Sequence, residues 1–225
     1  MIIGSIVFES LEVFCLAAGA AVSIYIARLR ENGMKAQFSN FADSTKEDCQ
    51  ILMGEQMKFM SNLPERILQH MALLEGDFGG FPVDRLQHCL QTAERAAEAG
   101  EDDEYVVCAL LHDIGDTLGS YNHADVAAAI LQPFVSEANY WLVKHHGVFQ
   151  GYNFFHHLGL DRNMRDQFKD SEHFEHTARF IEKYDSPAFD QSKPVLSLEL
   201  FAPLVRKVMA APKQSLYKSA LEKSA

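Results

Sequence analysis

The chain has 225 residues, 48% hydrophobic and 23% charged, which excludes wholesale disorder and allows one sizeable core. Its formal net charge of -11 repels phosphate backbones and disfavours a nucleic-acid-binding role. The four cysteines, Cys15, Cys49, Cys89 and Cys108, contain no C-x-x-C pair, so zinc-ribbon spacing is absent and reduced, mostly buried thiols are expected.

Residues 1–43 read as an apolar N-terminal segment and linker. Val13 to Ile26 is uncharged and is followed by Arg28 and Arg30, but it falls short of the ~20 residues that span a bilayer. No positive charge precedes it, as a secretory signal would require. Three readings stay open: a weak membrane anchor with the rest of the chain on the cytoplasmic side, a helix packed on the domain, and a start-site artefact with Met34 as the true beginning. From Ser44 the pattern is helical. Thr45 to Asn62 is rich in good helix formers and stops before Pro64, and Pro64 to Leu74 restarts with Leu68, Met71 and Leu74 on one face. Gly76 to Pro82 is a glycine-rich aromatic loop. Asp84 is placed to cap a helix that runs to about Ala99 and ends at Gly100. Further helices are expected over Glu104 to Asp113, from Asn122 or His123 to Leu131, from Ser136 to His145-His146, over Glu172 to Tyr184, and over Leu198 to Met209. Gly147 to Gly159 reads as an aromatic loop. Strand alternation, repeats and low-complexity linkers are absent, which predicts one all-α domain over 44–212 and a C-terminal tail over 213–225.

Ten histidines carry most of the chemistry. His112 and Asp113 end the apolar run Val106, Val107, Ala109, Leu110, Leu111, and a carboxylate ending a buried helix needs a cation or a metal beside it. Adjacent helical residues point about 100° apart, so the two converge only where the helix ends. Phe174, Ala178, Ile181 and Asp185 fall on one helical face, which aims Asp185 at the core. His146 ends an apolar helix and precedes Gly147; it competes with His145 for an inward position, and we prefer it because Gly147 then gives close backbone access. His88 lies opposite the stripe Leu86, Leu90, Ala93, Ala97, so spacing alone puts it at the surface. His156, His157, His173 and His176 sit in polar surroundings and are expected at the surface.

The ordered set His88, His112-Asp113, His123, His146 and Asp185 resembles the HD-domain superfamily, and more narrowly its six-ligand dinuclear branch. Leu86 to Gln91 is similar to that branch's first-ligand helix, Ala109 to Gly115 to its second, and Asn122 to Asp125 to its third. Val143 to Gly147 is similar to the fourth, and Lys183-Tyr184-Asp185 to the closing aromatic-Asp. Within that branch the chain resembles the mixed-valent diiron oxygenases, which include myo-inositol oxygenase and phosphonate-cleaving HD-domain oxygenases. The resemblance implies a single HD-domain helical bundle with two irons: His88, His112 and Asp185 on one, His123 and His146 on the other, Asp113 bridging. Manganese, cobalt or zinc are the alternative metals for a donor set of imidazoles and carboxylates. Gln150 stands where the phosphonate-cleaving relatives have a lysine, and Phe78 where they have a tyrosine, so their substrate is not implied. Asp116, a lysine in myo-inositol oxygenase, is read as a carboxylate that orients a ligand imidazole. Gln150, Tyr152 and Lys183 are the candidate substrate contacts, and Asp113 and Asp116 the candidate catalytic residues. Three functions stay open: oxidation of a small hydroxylated substrate by dioxygen, metal-dependent phosphohydrolysis, and ligand sensing without catalysis.

Overall fold

The computed structural model describes residues 35–215; the apolar N-terminal segment and the end of the C-terminal tail lie outside them. Among the described residues the structure is helical and has no strands, and no helix is long and apolar enough to cross a membrane. The described residues fall into two compact units that divide between Met60 and Ser61. In the first, helix α1 (Lys46–Ser61) starts on a reciprocal cap. The Asp48 amide donates to Thr45 Oγ1 at 3.1 Å, and the Thr45 amide donates to Asp48 Oδ2 at 3.0 Å.

The second unit contains α2 (Leu63–Met71), α3 (Arg85–Glu98), α4 (Asp103–Leu111), α5 (His123–Leu131), α6 (Glu137–Phe154), α7 (Phe174–Phe180) and α8 (Ala202–Met209). Its centre is α4. Every residue from Tyr105 to Leu111 is buried, as expected of a helix that is apolar all round. Helix α4 packs along α3 and against α6 and α8, while α5 and α7 pack on α6. The polar starts of these helices are capped from the chain itself: Asp84 accepts from the Gln87 amide, Asp102 from that of Tyr105, and Ser136 from that of Asn139.

Several elements differ from the sequence expectation. Helix α6 does not stop at Gly147 but continues to Phe154. Its two inner glycines cost about 1 kcal/mol each in helix propensity, and packing offsets this. Gly147 faces the His123 ring, and a Cβ on Gly151 would lie 2.3 Å from the Phe155 ring. The helix expected to reach Asp185 changes its winding: α7 gives way to a π-turn over Ile181–Asp185, closed by the Ser186 amide donating to the Ile181 carbonyl at 2.9 Å. Finally, Arg162–Phe168 forms a 3-10 stretch, where no element was expected.

Candidate metal centre

Four helices deliver four imidazoles to one point. His88 lies in the first turns of α3, His112 caps the end of α4, His123 opens α5, and His146 sits in the middle of α6. The α-helical geometry of α4 ends at Leu111 and a 3-10 turn follows over Ile114–Thr117. Asp113 lies between them with φ -104° and ψ 10°. That change of winding lets neighbouring side chains converge, and His112 Nε2 comes within 3.3 Å of Asp113 Oδ2.

The two Asp113 oxygens divide the histidines into pairs. Oδ2 faces His112 at 3.3 Å and His88 at 3.6 Å; Oδ1 faces His146 at 3.1 Å and His123 at 3.4 Å. Within each pair the Nε2 atoms are 3.2 Å apart. Asp185 joins the first pair only, with Oδ1 3.3 Å from His88 Nε2. This gives two candidate ligand groups that share no residue, His88–His112–Asp185 and Asp113–His123–His146, beside a third, Cys89–His112–Asp113, that overlaps both.

The other ring nitrogens explain why the Nε2 atoms point inward. His88 Nδ1 lies 3.2 Å from the Ala188 carbonyl, His112 Nδ1 2.9 Å from that of Ala109, and His146 Nδ1 2.7 Å from that of Val143. A carbonyl only accepts, so each Nδ1 carries the hydrogen and each neutral ring turns its Nε2 lone pair to the centre. Paired lone pairs at 3.2 Å repel one another unless a cation lies between. An ion held by imidazoles at ~2.1 Å sets its nitrogen donors roughly 3.0–3.4 Å apart. A buried carboxylate oxygen, Asp185 Oδ2, also has no hydrogen-bond partner, and such an orphan is costly without a cation. The donor set therefore fits a dinuclear metal site, with Asp113 shared between the two positions.

The electrostatics agree. Burial pushes the Asp113 carboxyl up, but His112 and His146 outweigh it and hold it well below the ordinary range. Burial opposes protonation of His88, and the Asp185 and Asp113 carboxylates outweigh that, raising its pKa. His112 is raised in the same way, chiefly by Asp113 against its own burial. The centre thus has a strong demand for positive charge.

Asp116 stands behind the second pair, its Oδ1 3.5 Å from His123 Nδ1 and its Oδ2 in an ion pair with Arg85 Nη1. Beside the centre is a cavity of about 90 Å³ lined by Phe81, Val83, Arg85, Asp116, Gln150 and Phe189, with His88, Asp113 and His123 at its inner end. Phe189 stacks on the His88 ring at 4.2 Å and on Phe81 at 5.3 Å. Gln150 enters the cavity and donates to Asp185 Oδ1 at 2.7 Å.

Tyr152 and Lys183 do not line this cavity. Because α6 stays helical, Tyr152 lies about 200° around it from Gln150, where it stacks under Arg162 and Arg165 at 4.1 and 3.7 Å. Lys183 is exposed on the outer side of the π-turn. Phe78 is half exposed and also outside the lining. His145 turns away from the centre and stacks on Trp141 at 3.9 Å. Sequence reasoning gave no role to Arg85 or Phe189. Arg85 was within reach, since it lies three residues before His88 and so on the same helical side; nothing in the sequence around Phe189 ties it to the centre.

His88 is buried although spacing put it at the surface. The segment after Asp185 covers it, clipped to α3 by two glutamines that act as backbone mimics. Gln87 Nε2 donates to the Leu196 carbonyl at 2.8 Å, and its Oε1 accepts from the Leu196 amide at 2.9 Å. Gln91 does the same with Asp190, at 3.0 Å in both directions.

A search among curated proteins returns no match to the chain. Residues 85–215, more than half of the chain and including all six centre residues, match the HD domain, and the chain therefore belongs to the HD-domain family.

Proposed function

We propose that the protein is a dinuclear metalloenzyme that oxidises a small hydroxylated substrate with dioxygen, His88, His112 and Asp185 holding one iron, His123 and His146 the other, and Asp113 bridging. One observation carries the dinuclear reading: each oxygen of Asp113 faces its own pair of imidazole Nε2 atoms. Two irons would supply the dioxygen chemistry that no side chain provides. The protein's part is to orient and to exclude water. Phe81, Phe189 and Val83 wall the cavity, which limits the substrate to a few heavy atoms and keeps bulk water from the reacting carbon. The Gln150 amide, anchored on Asp185, presents a polar edge to a substrate hydroxyl, and Asp116 lines the same space as the carboxylate placed to take up a hydroxyl proton.

The cavity's charge favours this reading over phosphohydrolysis. Among its lining residues the one permanent cation is Arg85, and it is already paired with Asp116 and with Asp77, the latter at 3.4 Å. A phosphoryl group would thus meet no uncommitted side-chain cation there. The test is metal analysis of anaerobically purified protein together with oxygen uptake on small polyols and hydroxy acids. Two irons per chain and substrate-dependent oxygen consumption are expected. Zinc or manganese content with anaerobic phosphate release from aryl phosphates would replace this proposal with hydrolysis.

A further inference from the structure

We infer that the two metal positions are unequal by construction: the His88–His112–Asp185 position holds a resident ion, the His123–His146 position an exchangeable one, and Arg85 tunes the second through Asp116. The inference rests on the dinuclear reading above and extends it to the order and strength of metal binding.

The first position has three donors of its own and a share of Asp113. Its side chains are shut away from solvent: His88 is 5% exposed, His112 and Asp185 0%. It also holds Asp185 Oδ2, a buried carboxylate oxygen with no hydrogen-bond partner. The second position has two imidazoles and the other share of Asp113, with no carboxylate of its own. Its His123 side chain is 29% exposed, against 5% for His88 at the same end of the cavity. A divalent ion there gains less Coulomb attraction, in a region where water screens more of it.

Asp116 is the carboxylate that the second position lacks on its inner side. It faces the far nitrogen of His123, so it acts on an ion only through the ring, as a positioning residue. Arg85 bonds the other oxygen of Asp116 and lines the same cavity. Its charge therefore weakens the second position twice, by drawing on Asp116 and by adding positive potential beside the ion. The guanidinium is fixed there from three sides. It lies 5.5 Å over the Phe81 ring and 3.4 Å from Asp77, and a Cβ on Gly79 would come within 2.6 Å of its Nη2. Glycine at position 79, with φ +52°, leaves the room the arginine occupies.

The experiment titrates the full chain, stripped by a chelator, with manganese(II) alone under anaerobic conditions and follows electron paramagnetic resonance. The expected result is an isolated-ion signal up to one equivalent, replaced by a spin-coupled spectrum as the second ion enters with affinity lower by about tenfold or more. A coupled spectrum that grows from the first addition overturns the inference and leaves the dinuclear centre standing. Saturation at one ion removes the dinuclear reading itself. Arg85→Leu is expected to tighten the second step about threefold to tenfold and to leave the first unchanged; a second step unchanged or weaker overturns the role of Arg85. If Arg85→Leu does not fold by circular dichroism, the isosteric Asp116→Asn tests the same link from the other side. It should weaken the second step and spare the first, and equal effects on both steps overturn the inference.

Discussion

Gly115 is the place where a single methyl group should dismantle half of the centre. A Cβ at that position would lie 2.2 Å from the His123 carbonyl oxygen and 2.8 Å from its carbonyl carbon and Cα, closer than the 3.0 Å below which real Cβ contacts essentially never occur. The obstacle is backbone at the start of α5, so Gly115→Ala forces that turn back by about 1 Å in a close-packed interior. His123 moves with it. Metal–ligand distances tolerate only about 0.2 Å, so the ion between His123 and His146 is lost, while His88, His112 and Asp185, on other elements, keep theirs. The overpacking itself costs about 1–3 kcal/mol, which lowers Tm by roughly 2–12 °C for a domain of this size. Metal content per chain after purification and thermal unfolding by circular dichroism measure both effects. The expected result is one metal in place of two and a Tm lower by several degrees. A Gly115→Ala protein with two metals and the parent Tm would refute the argument that this glycine exists to let α5 approach.

Asp113→Ala should strip both metals and, in metal-free protein, lower stability by about 3 kcal/mol, the low end for breaking a buried charged group because the side chain is 18% exposed; full metal occupancy in this variant would disprove the bridging assignment. His146→Ala should lose at least one metal per chain whereas His145→Ala, which removes a ring stacked on Trp141, should keep both, and the reverse result in metal analysis would exchange the two assignments. Glu101 accepts from Tyr184 Oη at 2.5 Å and pairs with Arg179. Burial raises its pKa, but those two partners outweigh burial and lower it. A lowered carboxyl pKa stabilises the fold above the ordinary value of ~4.3 and loses that contribution as pH falls through the folded value. Glu101→Gln should therefore cost about 1 kcal/mol at pH 7, with the gap in Tm to the parent narrowing below pH ~4; an equal gap at both pH values would sink this account.

Much of the fold was open to reading because its core obeys local rules. The run from Val106 to Leu111 is apolar on all sides and can only be buried, and Asp84 and Ser136 announce the helices they cap. The elements that escaped depend on distant partners. Gly151 looks like a helix breaker until the Phe155 ring that fills the space beside it is known. His88 looked superficial because its cover is a segment about 100 residues away in sequence, attached by polar groups that periodicity counts as solvent-facing. Asp185 was aimed inward by helical spacing, yet the π-turn that carries it leaves no trace in the apolar pattern. The metal-ligand roles of the ordered histidines and aspartates came through the family resemblance rather than periodicity. Tyr152 was placed on the supposition of an aromatic loop after Gly147, and the continuing helix turns it to the opposite side.

The glutamine clips over α3 separate two properties that active sites often merge. The ligand imidazoles ride on helices whose places are fixed by the apolar core, whereas the wall that carries Ala188 and Phe189 over His88 is held by polar contacts, among them four amide hydrogen bonds from Gln87 and Gln91 and the Lys193–Glu94 ion pair. Replacing either glutamine should loosen the wall while His112, His123 and His146 keep their places on their helices; among the metal ligands, His88, whose Nδ1 meets the Ala188 carbonyl, feels the change. Sequence drift can therefore reshape what enters the cavity at the expense of one ligand's anchor, and an engineer seeking a larger substrate has a place to begin.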